Sequence, residues 1–297
     1  MVDHAERDVI VVEVGPRDGL QNEAQPVPTE RKIAFINALS AAGLPLIEAT
    51  SFVNPRAVPQ MADAGEVMRG ITRDPGVRYP VLVPNERGLL RALDVGVDAI
   101  ALFTAATDEF AQANVGTTIS GTFERFAPVI KRAKSESVWV RGYVSVAFGC
   151  PYAGPVSAGA VTAVTEQLLA AGCDEICLAD TIGSGTPSGV NATLDAVSTS
   201  LPLSELALHF HDTTGNALRN VDVALGRGVR IFDSAAGGLG GCPFAPGAPG
   251  NLATESLLQF LHQAGLRTGV NLQAVGHATD LLRGYVPRLG PTSASQA

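Results

Sequence analysis

The chain has 297 residues, 46% of them hydrophobic and 17% charged, with a formal net charge of −8; this is ample material for a core and gives no compositional sign of disorder. An acidic balance with no block of five like charges argues against a nucleic-acid surface or an anionic-membrane surface. Met1–Asp8 is charged and carries no apolar signal segment, no apolar run approaches the ~18 residues of a membrane span, and four cysteines make no disulfide framework, so a cytoplasmic protein is expected.

From Asp8 the run Val-Ile-Val-Val-Glu-Val14 is nearly continuous in β-branched residues and breaks at Gly15-Pro16, as a strand buried on both faces does. Thr29–Gly43 follows with helical spacing, an N-cap threonine and a closing glycine. The same unit then recurs: strand Leu46–Thr50 with a helix within Val58–Ile71, strand Val77–Val83 with helix Glu86–Val95, and strand Val97–Phe103. A longer excursion over Thr104–Thr118 leads into a helix ending near Ser135, in which the basic residues of Lys131–Lys134 read as a solvated face. Strand Val138–Phe148 precedes helix Ala158–Ala171, and Glu175–Ala179 precedes Ser188–Ser200. Leu206–His211 with Ala217–Arg227, and Val229–Asp233 with Leu252–Ala264, complete the series.

Eight alternating strand and helix patterns predict an α/β fold, a closed (β/α)₈ TIM barrel of parallel strands forming one domain over 1–297. The barrel proper spans about 8–265, and 266–297 hold an extra helix, Val270–Arg283, and a tail. Cys173 and Cys177 read as packing residues, with no second pair to make a metal site.

In such a barrel the reactive groups stand at the C-terminal ends of the strands. There the sequence places Arg17-Asp18, Glu48, Asp180-Thr181, His209 with His211, and Asp233-Ser234. His209 and His211 are two apart on a strand and project to one face, with Phe210 turned the other way. With Asp18 they make two nitrogens and one carboxylate, a set that leaves positions open on a divalent ion, and Asn251 can add an amide oxygen. A mixed nitrogen and oxygen set without thiolate favours Mg²⁺ or Mn²⁺. After the eighth strand, Gly237–Gly250 is rich in glycine and proline and carries Cys242. That loop reads in three ways: a mobile cover bringing a thiol over the barrel mouth, a phosphate-binding loop lacking the usual Lys-Ser/Thr ending, or a plain connection.

The segments Val14–Glu23, Glu48–Val53, Val58–Asp63, Val140–Val144, Gly149–Tyr152, Asp180–Pro187, Leu206–Thr214, Gly238–Pro243 and Gly250–Glu255 resemble, in order, those of the 3-hydroxy-3-methylglutaryl-CoA lyase family. The resemblance covers about Val9 to Gln259. It implies metal-assisted cleavage of (S)-3-hydroxy-3-methylglutaryl-CoA to acetyl-CoA and acetoacetate, with an acyl-CoA as the ligand and a homodimer as the assembly. By the same resemblance Asp18, His209, His211 and Asn251 hold the cation, Arg17, Asp180 and Cys242 act on the substrate, and Glu48 and Glu13 orient Arg17 or the metal shell. Phe244, Ala235-Ala236-Gly237, Pro246 and Pro249 depart from the family pattern and bear on the loop. A related aldolase, a Claisen-type synthase, or a lyase for another hydroxy acid or acyl-CoA is the alternative reading.

Overall fold

The computed structural model describes residues 7–240 and 250–290. Among these residues nine parallel strand segments lie in one continuous sheet: β1 (Ile10–Glu13), β2 (Leu46–Ile47), β3 (Thr50–Ser51), β4 (Val81–Leu82), β5 (Ala99–Ala105), β6 (Trp139–Ser145), β7 (Glu175–Asp180), β8 (Leu206–Phe210) and β9 (Ile231–Ser234). The order is β2-β1-β9-β8-β7-β6-β5-β4-β3. The two end members, β2 and β3, are halves of a single strand, so nine segments make eight staves and the sheet closes on itself. The Ile47 amide donates to the Arg78 carbonyl and the Ala49 amide to the Pro80 carbonyl, both at 3.0 Å, while the Glu48 amide between them donates to the Glu13 carbonyl at 2.8 Å. The strand expected over Leu46–Thr50 thus alternates its partners at Glu48, which breaks its ladder in two.

The helices are α1 (Thr29–Ala41), α2 (Ala64–Gly70), α3 (Glu86–Leu93), α4 (Asp108–Val115), α5 (Ile119–Ser135), α6 (Ala158–Ala171), α7 (Pro187–Val197), α8 (Ala217–Gly226), α9 (Thr254–Gln263) and α10 (Leu272–Asp280). Side chains of Asn85, Thr107, Thr118, Ser157, Thr186 and Asn271 each accept the third amide of the helix that follows, satisfying an otherwise orphaned donor. α4 lies inside the excursion expected over Thr104–Thr118; its Thr107 cap and its left-handed Gly116 terminus were both present as sequence signals. Phe35, Ile36 and Leu39 of α1 are fully buried, showing how one helix face covers the sheet. Gly43 ends that helix region at φ 93°, where a Cβ would run into the Gly269 carbonyl oxygen. α10 is the extra helix expected near the C-terminus, packed on α1 and α9. Among the described residues no helix is long and apolar enough to cross a membrane.

Candidate active site

β1 leads directly into a π-helical turn, Gly15–Gly19. The Val14 carbonyl accepts from the amides of Arg17, Asp18 and Gly19 at 3.2, 2.7 and 3.2 Å, which widens the turn. Single wide turns of this kind recur at functional sites. Arg17 then lies against both neighbours that its charge requires: Nη1 is 2.6 Å from Asp18 Oδ1 and Nη2 is 2.8 Å from Glu48 Oε2, with the guanidinium 5.9 Å from the centre of the Tyr143 ring. Glu48 occupies the break between β2 and β3, fully buried.

At the end of β8 the rings of His209 and His211 share a face with centroids 5.2 Å apart, while Phe210 packs outward on Phe148 at 5.7 Å. Asp18, His209 and His211 offer ligand atoms that all lie within 4.8 Å of one another. Gly250–Leu252 runs beside this strand end: the Asp212 amide donates to the Gly250 carbonyl at 2.7 Å and the Leu252 amide to the Phe210 carbonyl at 3.1 Å. That seats the Asn251 amide on Asp18 Oδ2 and on the Leu239 carbonyl, both at 2.9 Å. Gly240, at φ 91°, closes the same corner, since a Cβ there would come within 2.7 Å of Asn251 Nδ2.

The electrostatics suit a cation. Burial alone would raise the Asp18 carboxyl, but Arg17, His209 and His211 outweigh it and hold the group at about 2. Burial, then the neighbouring His209, push His211 down to about 4, so its imidazole is neutral at pH 7. Burial opposes charge on His209 as well, yet the Asp233 carboxylate beside it raises its pKa above the ordinary value. His211 Nδ1 and Asn251 Oδ1 are buried without a hydrogen-bond partner among the described residues. Two imidazoles, an ionised carboxylate and an unpartnered amide oxygen fit a divalent ion with nitrogen and oxygen ligands.

Asp18 and the two histidines face a cavity of about 270 Å³ whose walls also include Arg17, Gln21, Tyr143, Ser145 and Thr181. Ser145 ends β6, and Val146 after it holds φ 54°, a strained conformation for a β-branched residue. The Thr181 hydroxyl pins it, accepting the Val146 amide at 2.8 Å. Asp180 does not line the cavity. It pairs with Phe210 across the ladder and so shares that residue's outward face, and its oxygens accept the amides of Ser184 and Gly185 at 3.0 and 2.9 Å. Burial pushes its carboxyl up to about 6. Cys242 lies outside the described residues.

Arg141 and Tyr143 were missed in the sequence. In Arg141-Gly-Tyr-Val-Ser145 the polar residues fall at every second position, which places all three on the inner face of β6; the alternation was the available signal. Glu13, fully buried, ties the site together from below: Oε1 accepts the amides of Gly15 and Ala236 at 2.7 and 2.9 Å, and Oε2 accepts the Thr254 hydroxyl at 2.7 Å.

With this geometry in hand, comparisons with known proteins are specific. The HMGL-like family model matches residues 8–282. The mitochondrial hydroxymethylglutaryl-CoA lyase of Mus musculus is 50% identical over 98% of this chain and 90% of its own length. Among solved structures, the HMG-CoA lyase of Brucella melitensis superposes with a TM-score of 0.90 at 52% identity, covering 92% of this chain and 96% of that one. An HMG-CoA lyase from Acinetobacter baumannii, solved in complex with coenzyme A and 3-methylmalate, gives 0.89 at 39% identity, covering 100% and 95%.

Proposed function

The chain belongs to the HMGL-like family, and we propose from that premise that its cavity cleaves (S)-3-hydroxy-3-methylglutaryl-CoA to acetyl-CoA and acetoacetate. The observation that carries this reading is the convergence of Asp18, His209, His211 and Arg17 on one cavity. In the reaction the C3 hydroxyl loses its proton and the C2–C3 bond breaks. The bonding pair passes into the thioester as an enolate, C3 becomes the ketone of acetoacetate, and protonation at C2 gives acetyl-CoA.

Asp18, His209, His211 and Asn251 would hold a divalent cation, Mg²⁺ or Mn²⁺ because the donors are nitrogen and oxygen with no soft thiolate, and when bound it supplies Lewis-acid polarisation of substrate oxygens. Arg17 is a permanent cation locked by Asp18 and Glu48. It is preorganised to stabilise the negative charge that grows on the thioester oxygen. The hydroxyl proton is proposed to leave to water in the cavity, because histidines that hold the cation have no free lone pair for it and the Asp180 oxygens already accept backbone amides. Asp180 instead shapes the turn beyond β7 beside Thr181. Cys242 is the proposed donor of the proton to C2, since a thiol with an ordinary pKa near ~8.5 gives up a proton readily at neutral pH.

Acyl-CoA binding is supported by the coenzyme A in the Acinetobacter relative, and a homodimer is the proposed assembly. The test is release of acetoacetate from the CoA ester: EDTA abolishes it and Mg²⁺ or Mn²⁺ restores it. Absence of acetoacetate in the presence of either cation refutes the proposal.

A further inference from the structure

The interior of a parallel barrel is ordinarily filled with branched apolar side chains. This barrel instead holds Asp233 against His209, with Arg141, Tyr143 and Cys177 gathered on Asp233, and Arg141 and Asp233 are each only 1% exposed. A buried ion pair of this kind commonly stabilises a fold no more than well-packed apolar residues of the same volume would. Its contacts point to a different use. Asp233 Oδ1 accepts Arg141 Nη2 at 2.7 Å, and Oδ2 receives Arg141 Nη1 at 3.3 Å, the Tyr143 hydroxyl at 3.1 Å and the thiol of Cys177 at 3.7 Å. The same Oδ2 lies 3.3 Å from His209 Nδ1.

A carboxylate that is ionised only accepts hydrogen bonds, and the Arg141 fork across both oxygens keeps this one ionised. The proton of His209 therefore sits on Nδ1, and the lone pair of Nε2 is left for a ligand. We infer that Asp233, clamped by Arg141, is the positioning residue that fixes the tautomer and ring angle of His209 for the divalent cation. The inference rests on the metal-dependent reading above. The Tyr143 oxygen also lies 3.3 Å from Glu48 Oε2, the atom that accepts Arg17 Nη2.

Asp233→Asn tests it in the full-length protein. The amide must direct its NH₂ either at His209 Nδ1–H or at a guanidinium donor, so neither orientation preserves both contacts. With the chain stripped by a chelator and titrated with Mn²⁺, the free ion being followed by electron paramagnetic resonance, the variant should bind ~10–100-fold more weakly with its circular dichroism spectrum retained. A long-range ¹⁵N–¹H correlation spectrum of the Mg²⁺-loaded wild type should place the His209 proton on Nδ1; this measurement decides the matter if the variant does not fold. A folded Asp233→Asn chain that binds Mn²⁺ within about two-fold of wild type, or a wild-type proton on Nε2, overturns the inference and leaves the metal reading standing. A wild-type chain that binds neither Mn²⁺ nor Mg²⁺ overturns both.

Discussion

Arg17 is held by two carboxylates through two different nitrogens, a task for a planar fork that a single ammonium cannot duplicate. Arg17→Gln should lower kcat and kcat/KM about equally, by roughly 10²–10³, because the interaction it removes grows in the transition state; Arg17→Lys should recover only part. Steady-state kinetics check this, and a change confined to KM would assign Arg17 to binding alone. A second expectation concerns His209, whose pKa is raised by Asp233 against the effect of burial. Below that raised value a proton occupies the imidazole that the cation needs, so cation affinity should fall as pH falls and binding should release a proton. Calorimetry of Mn²⁺ binding in buffers of different ionisation enthalpy reads the proton directly; identical heats in all buffers would contradict it. The histidine pair was legible in the sequence because period-two alternation fixes its geometry. The side of the strand that Asp180 takes was not legible, since being at a strand's C-terminal end does not say which face a residue takes, whereas its pairing with Phe210 does.

The strands and most helices were legible as apolar runs and capped periodic segments, since these are local properties of the chain. The π-helical turn over Gly15–Gly19 was not, because Gly-Pro reads as a breaker and the turn is held by partners far away in sequence. Glu13, just before the turn, makes the tie to them, joining the turn to Ala236 and Thr254. Burial pushes its carboxyl up to about 8 from an ordinary 4.5. Between those values the folded chain holds a proton that the unfolded chain has lost. The stability contributed is therefore full below the unfolded value and lost as pH rises through about 8. Glu13→Gln keeps an oxygen for the two amides and can donate to Thr254, so it should fold. It should also flatten the decline in Tm between about pH 5 and 9 relative to wild type. Parallel Tm-against-pH curves for the two proteins would show that Glu13 does not carry the proton.

At the scale of the molecule, the alternation of strand and helix was enough to foresee a closed barrel, because parallel strands need helical crossovers and eight of them complete a ring. What the alternation cannot convey is that the ring is uneven. β5 and β6 pair over seven residues each, from Ala99–Trp139 to Ala105–Ser145, whereas β2 meets β1 and β3 meets β4 at only two positions each. The ring therefore has a seam, and Glu48 sits in it. Fewer ladder bonds mean a lower free energy of local opening, so amide hydrogens of Leu46–Ser51 should exchange with deuterium faster than those of β5–β8, as read by mass spectrometry of peptic fragments. Uniform protection around the ring would show the seam to be as tight as the rest. On that expectation the barrel divides its labour by rate of breathing: the histidines stand on the slower-exchanging wall, and Arg17, the residue proposed to meet the enolate, is latched through Glu48 to the faster one, where a bound thioester would be felt first as slowed exchange.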